Sequence, residues 1–343
     1  MKKSTPRLLA APEAGAIQYP MLVLGPLSLR SRVVLAPMAG VTDLPCRMVA
    51  RSMGAELAFV EMTSVNALVH QNRKTLKLLE TREGDRPLGV QLVGAEPETL
   101  REALAVLRPW RFDVLDLNAA CPVKKVTKKG EGAALMCEPR RLAALVRVMV
   151  EHGAGAAVTV KLRAGWDAQE RNAPEAARAA EEAGAHAVFV HGRTRAQGYR
   201  GQVDYGIIRE VKAAVGIPVL GSGDVLSAPL ALAMLRETGC DGLAVARGGL
   251  GNPWLFREIE ALLEGKELPP RPDRQEVAEV MARHLRMCVG FYGPSAGVRV
   301  FRKFFVWYTK GLSGVKPLRV RALQATDMET LLALIDRATA RHD

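Results

Sequence analysis

The sequence predicts a (β/α)8 barrel followed by a small C-terminal helical bundle, and three observations carry that prediction. Short β-branched runs recur eight times, each followed by an Ala/Leu/Glu/Arg-rich segment whose apolar residues keep a helical period. The eight strand-helix units begin near residue 33 and end near 262, a span that matches this barrel in number and length. Beyond them Gly265 and Leu268-Pro269-Pro270-Arg271-Pro272 form a breaker-rich stretch that helices do not cross. A doubly wound open sheet is the alternative architecture.

Taken in order, residues 1–20 read as a loosely held N-terminal extension, because the apolar run Leu8 to Ala11 is cut short by Pro12 and Glu13. Residues 21–262 form the expected barrel domain. Its strands are expected at Val33 to Pro37, Leu57 to Glu61, Leu88 to Leu92, Val114 to Asn118, Ala157 to Lys161, His186 to His191, Ile217 to Gly221 and Asp241 to Ala246. Residues 263–343 are the second domain. There Val277, Val280, Met281, Leu285 and Cys288 share one helical face, and Leu331, Leu332, Leu334 and Ile335 belong to a final helix.

Composition narrows the function class. The chain has 343 residues and a formal net charge of +12, a surface that attracts polyanions through counterion release. Its five cysteines, at 46, 121, 137, 240 and 288, form no C-x-x-C pair and show no metal-ligand spacing. No metal site and no disulfide framework are expected, and the compartment expected is the reducing cytoplasm. No apolar stretch reaches the roughly 18 residues of a membrane span, so no membrane partner is expected; nor is an oligomer.

Chemistry in this fold sits at the carboxyl ends of the strands. Here those ends carry Pro37-Met38, Glu61, Gln91, Asn118, Lys161, His191, Gly221-Ser222-Gly223-Asp224 and Arg247. Buried polar atoms are costly unless paired, so a purely structural barrel would not need them at nearly every strand. The glycines of Gly221-Ser222-Gly223-Asp224 let backbone N-H groups approach a phosphate, and Arg247-Gly248-Gly249 adds a guanidinium that grips phosphate bidentately. Lys161 and Arg163 lie two apart and therefore on one side of a strand. A lysine there could form a Schiff base, stabilise an anionic reduced cofactor, or merely pair with Asp116. His191 ends the sixth strand.

Cys121 follows the fourth strand on a loop restrained by Pro122. Lys124, Lys125, Lys128 and Lys129 follow, a field that favours thiolate, although a thiol that starts protonated can serve as a general acid. Between Arg283 and Arg321 the second domain has nine Lys/Arg and no Asp/Glu, with seven aromatics from Phe291 to Tyr308 interleaved. Most of those aromatics are expected in the bundle core. The excess of cations, Arg299, Arg302 and Lys303 among them, suits phosphates and unstacked nucleotides.

Taken together these residues resemble the tRNA-dihydrouridine synthases, and in particular the B-type bacterial branch. The resemblance runs from about Leu22 to Phe256 through L-A-P-M-A-G-V-T-D at 35 to 43, C-P-V-K-K-V at 121 to 126, V-K-L-R-A-G-W at 160 to 166, V-H-G-R-T-R at 190 to 195 and G-S-G-D at 221 to 224. It implies an enzyme that uses flavin mononucleotide (FMN), is reduced by NADPH, and converts uridines of the tRNA D-loop to dihydrouridine. It implies that Pro37, Met38 and Ala39 line the isoalloxazine, with Gln91 and Lys161 at its polar edge and His191 nearby. Ser222, Gly223, Asp224, Ala246 and Arg247 would hold the phosphate end. Cys121 matches the family's proton donor, Asn118 and Arg163 are candidates for the uracil edge, and Lys124, Lys129, Arg299, Arg302 and Lys303 for the RNA. The family usually has Asn-Gly-Asp where this chain has Ser222-Gly223-Asp224, and Asn-Met-Gly-Cys-Pro where it has Asn118-Ala119-Ala120-Cys121-Pro122.

Three other readings stay open on the residues alone. A flavin barrel could reduce a small ene substrate, an aldolase could use Lys161 without flavin, and an RNA-binding protein could sit on a decayed barrel.

Overall fold

The computed structural model describes residues 20–340. The expected extension at 1–20 lies outside the described residues except for Pro20, whose carbonyl accepts from Arg32 at 2.7 Å.

The chain opens with an antiparallel hairpin, β1 (Leu22–Leu24) and β2 (Leu27–Leu29), turning at Gly25. The parallel strands follow: β3 (Val33–Leu35), β4 (Leu57–Phe59), the two-residue β5 (Thr63–Ser64), β6 (Leu88–Val93), β7 (Val114–Ala119), β8 (Ala157–Arg163), β9 (Ala187–His191), β10 (Val219–Ser222) and β11 (Gly242–Val245). Their order is β4-β3-β11-β10-β9-β8-β7-β6-β5, and β4 also pairs with β6. That pairing closes an eight-stranded barrel of β3, β4 and β6 to β11, with β5 a short extension along β6. The open sheet is thereby excluded.

All eight expected staves are present, and five begin at the expected residue. The hairpin was missed because its strands are only three residues long and precede any helix. It has a clear use. Leu22, Leu24 and Leu29 are buried with Val34, Leu57, Val114, Ala157, Ala187 and Leu220, the inward-facing residues near the amino ends of the staves. Removing this much leucine surface from water stabilises by roughly 1.5–3 kcal/mol per side chain, so the hairpin plugs the barrel floor. Phe59 and Phe189 meet edge to face at 5.8 Å above it.

Alternation then sorts the staves into two faces. On β7, Leu115, Leu117 and Ala119 pack outward with Leu142, Val146 and Met149 of the helix Pro139–His152, while Val114, Asp116 and Asn118 point inward. The interior thus changes from apolar at the floor to polar at the mouth.

One buried charge cluster ties the first barrel helix, Leu44–Arg51, to the segment before β6. Arg47 and Asp85 are both fully buried and paired at 2.7 Å, Arg51 reaches the same carboxylate at 2.9 Å, and Arg47 also donates to the carbonyls of Thr42 and Glu80. Every nitrogen of the Arg47 guanidinium and both oxygens of Asp85 are hydrogen-bonded.

After the last barrel helix, Leu255–Leu263, the chain runs without helix or strand until Asp273 caps the helix Arg274–Tyr292 by accepting from Glu276 N at 2.8 Å. Helices Pro294–Tyr308, Lys316–Gln324 and Met328–Thr339 follow. Their core contains Phe301, Phe304, Phe305, Tyr308, Leu331 and Ile335, and it extends to Val49 and Trp254 of the barrel. Four of the seven interleaved aromatics are therefore buried core.

His284 sits in that core, its Nδ1 at 3.1 Å from the Tyr308 hydroxyl. Burial, and then the charges of Lys303 and Arg283, push its pKa down to about 3. The unfolded chain takes up this proton near the ordinary histidine value while the folded one refuses it, so stability falls as pH drops below that value. Wild type should lose about 1 kcal/mol relative to His284→Gln between pH 6.5 and 5.5 in urea unfolding. Equal pH dependence in the two proteins would refute the buried neutral imidazole.

Candidate functional site

The polar mouth follows from register. Asn118 lies beside Lys161, Arg163 beside His191, and His191 beside Ser222 on successive staves. These inward positions, with the loops after β3, β10 and β11, enclose a cavity of about 340 Å³. Lining it are Pro37, Met38, Ala39, Gln91, Lys161, His191, Ser222, Gly223, Asp224, Ala246 and Arg247, every residue that the sequence pointed to for a cofactor, together with Cys121, Asn118 and Arg163.

A hydrogen-bonded line runs from the barrel interior to the Cys121 loop. Asp116 accepts from Thr159 Oγ1 and from Gln91 Nε2, each at 2.7 Å. Gln91 Oε1 accepts from Asn118 Nδ2 at 2.7 Å, and Asn118 Oδ1 accepts from the backbone N-H groups of Ala120 and Cys121, at 3.1 and 2.8 Å. Arg163 Nε donates to the Ala120 carbonyl at 2.6 Å, and its Nη1 donates to the carbonyls of Thr194 and Gly198. Asn118, expected at the base edge, thus holds the cysteine loop, and Arg163, expected there too, joins that loop to the loop after β9. Gly132, at φ +60°, lies against the loop so closely that a Cβ would come within 2.9 Å of the Cys121 carbonyl oxygen. Ala119 and Ala120 are buried, and neither is among the described non-glycine residues with positive φ, so alanine costs nothing there in backbone strain.

Asp116 is buried in this interior, and Lys161 is half-buried with its Nζ enclosed. Burial pushes the Asp116 carboxyl up and the Lys161 amine down, while attraction between them opposes both shifts. Asp116 is satisfied by its two neutral donors, but Lys161 Nζ is buried with no hydrogen-bond partner. His191 Nε2 is likewise buried without one. Burial, then the charges of Lys161, Arg163, Arg193 and Arg247, push the His191 pKa down to about 2 and hold it neutral. Buried native polar groups rarely go unpaired, so two such atoms on one cavity point to a polar ligand.

On the loop after the neighbouring stave β10, Asp224 takes a left-handed φ of +49°. It is gripped by buried Arg193 and by Arg247, the latter at 2.6 Å. The Arg193 hydrogen bond is the first cause holding its carboxyl below the usual range. Arg247 remains partly exposed and stacks on Tyr199 at 5.0 Å. A Cβ on Gly248 would sit 1.9 Å from the Val225 carbonyl, so only glycine brings these two loops together.

Of the residues expected on RNA, Lys124 and Lys129 are exposed beside Cys121, and Arg299 is exposed on its helix. Arg302 instead donates through Nε and Nη2 to the Ala325 carbonyl, and Lys303 donates to the Gly40 carbonyl at the barrel mouth. Sequence reasoning gave no role to Tyr199, Met62 or Arg193. Asp116 was weighed only as a partner for Lys161, although its two-residue spacing from Asn118 places it on the inner face. Tyr199 lies on a loop whose approach to the mouth no local pattern announces.

Comparison with known proteins agrees with this architecture. The family model for Dihydrouridine synthase (Dus) matches residues 34–342. The chain is 38% identical over 311 residues to tRNA-dihydrouridine synthase B of Xanthomonas axonopodis pv. citri, covering 91% of this chain and 93% of that protein. It is 39% identical to the tRNA-dihydrouridine synthase B of Pseudomonas aeruginosa, covering 89% of this chain and 92% of that protein. Among solved structures, the histamine dehydrogenase of Rhizobium sp. 4-9 aligns with a TM-score of 0.57 at 14% identity, over 79% of this chain and 51% of that one, a likeness of fold. With the family model spanning most of its length and B-type relatives matching nearly end to end, the chain belongs to the dihydrouridine synthase family.

Proposed function

We propose that this protein is an FMN-dependent tRNA-dihydrouridine synthase, driven by NADPH and acting on uridines of the tRNA D-loop. The observation that carries the flavin reading is the pair of partnerless buried atoms, Lys161 Nζ and His191 Nε2, on the cavity that also holds Cys121. A flavin ring offers the acceptors and donors these atoms lack. The residues fit: Pro37, Met38 and Ala39 against the ring, Gln91, Lys161 and His191 at its polar edge, and Ser222, Gly223, Asp224, Ala246 and Arg247 toward the phosphate. Asp224 is neutralised by two arginines and does not repel an anion.

When bound, reduced FMN supplies the hydride for C6 of the uracil. Cys121 Sγ donates a proton to C5, and the two additions saturate the C5=C6 bond; solvent reprotonates the thiolate. Lys161 keeps positive charge against the cofactor's polar edge. Asn118 and Arg163 hold the Cys121 loop to the barrel, so the thiol does not drift from the base. Neutral His191 donates or accepts a hydrogen bond without exchanging a proton near neutrality. Because the target base must enter the barrel mouth, it leaves its stack.

Residues 21–262 are the proposed flavin domain and 263–343 the proposed tRNA-orienting domain. Lys124 and Lys129 would meet phosphate beside the thiol, and Arg299 one turn from Lys303 on the same helical face. The test is direct. Protein loaded with FMN and given NADPH and unmodified tRNA transcript should form dihydrouridine, mapped to the D-loop. Failure on tRNA combined with turnover of a small enone would overturn the RNA reading and leave a small-molecule reductase.

A further inference from the structure

The loop from Pro37 to Asp43 carries the cavity wall after β3, yet two of its anchors come from the C-terminal helices. Gly40 is held from both sides: its N-H donates to Glu61 Oε2 at 2.5 Å, and its carbonyl accepts from Lys303 Nζ. Three residues on, Asp43 caps the helix Leu44–Arg51 by accepting from Cys46 N at 2.9 Å, and its other oxygen accepts from the Tyr292 hydroxyl at 2.9 Å. Glu61 and Asp43 are both buried, and two cations act on both, Lys303 from the C-terminal helices and Arg47 from the barrel. Within the loop, Met38 N donates to Thr42 Oγ1, and the N-H groups of Val41 and Thr42 return to the Met38 carbonyl. Movement at Gly40 or Asp43 is therefore passed to Met38, which lines the cavity. Lys303 and Tyr292 lie on different helices, Pro294–Tyr308 and Arg274–Tyr292, so together they fix the loop to the bundle rather than to one side chain.

We propose that Lys303 and Tyr292 are positioning residues for the cofactor: from the C-terminal helices they hold the Pro37–Asp43 loop in the shape that grips the flavin, against the buried carboxylate of Glu61. Flavin affinity then depends on how the bundle is docked on the barrel. Neither side chain touches the cavity. The proposal rests on the flavin reading above.

The experiment is FMN titration of full-length protein stripped of flavin, followed by fluorescence and by the visible absorbance band. Lys303→Met and Tyr292→Phe should each weaken FMN binding by about tenfold, the loss of one hydrogen bond to a charged group partly transmitted to the site. Their flavin band should shift from that of wild type. Lys303→Arg, which can still reach the Gly40 carbonyl, should recover much of the affinity, and Lys310→Met, at an exposed lysine of the same segment, should match wild type. Unchanged FMN affinity and spectrum in both Lys303→Met and Tyr292→Phe would overturn the clamp, and loss of tRNA binding in Lys303→Met alone would then make Lys303 an RNA contact. A wild-type protein that takes up no FMN overturns the flavin reading and the clamp with it.

Discussion

Cys121→Ala is expected to retain FMN and tRNA binding and to lose about a hundred- to ten-thousand-fold in turnover on unmodified tRNA, the usual worth of a positioned general acid. The expectation rests on how little else the thiol does. Its loop is held by backbone groups, through Asn118 Oδ1, Arg163 Nε and Ala133 N, and none of these contacts uses the sulfur. Removing Sγ leaves the loop intact, so a loss of rate reports chemistry rather than folding. Single-turnover assays should put the loss in the step after the enzyme is reduced, because reduction by NADPH does not require the proton. Wild-type turnover from the alanine variant would remove Cys121 from the mechanism. Asn118→Ala tests the same loop from the other side. It should lower kcat without abolishing it, since the thiol remains and only its position is lost.

Asp85→Ala should be the most destabilising single change outside the hydrophobic core, by about 3–5 kcal/mol in urea unfolding, the cost of leaving a buried charge without its partner. Arg47 is fully buried, and its guanidinium is surrounded by protein, so it has no route to water once the carboxylate is gone. Arg51 and Thr81 lose the same acceptor. The damage should also reach the site, because Arg47 Nη1 holds the Thr42 carbonyl at 2.9 Å within the loop that flanks the cavity. A variant with near wild-type stability would mean that water enters the cluster and screens the arginines.

Much of the site was legible because strand and loop chemistry is written locally. Lys161 and Arg163 share a face through two-residue spacing, and both lie on the cavity. The same spacing places Asp116 inside with Asn118, a step that sequence reading could have taken. What spacing does not reveal is how a polar group is spent. Asn118 reads as a free amide at a strand end, yet both its ends are bonded, to Gln91 from the neighbouring stave and to the loop it precedes. Lys303 reads as one cation in an acid-free basic stretch, yet it turns inward to Gly40, 263 residues away in sequence.

From sequence alone came the eight staves, the polar residues at their carboxyl ends, and the residue types gathered at the mouth. Each depends on backbone periodicity and on neighbours a few residues apart, which a single chain displays. Tertiary structure alone decided that β4 meets β6 to close the barrel, that the short hairpin plugs its floor, and that Arg302 and Lys303 serve carbonyls rather than solvent. Those outcomes depend on which distant groups come within hydrogen-bond reach after docking. A buried donor takes the acceptor that packing brings to it, and no local pattern specifies that partner.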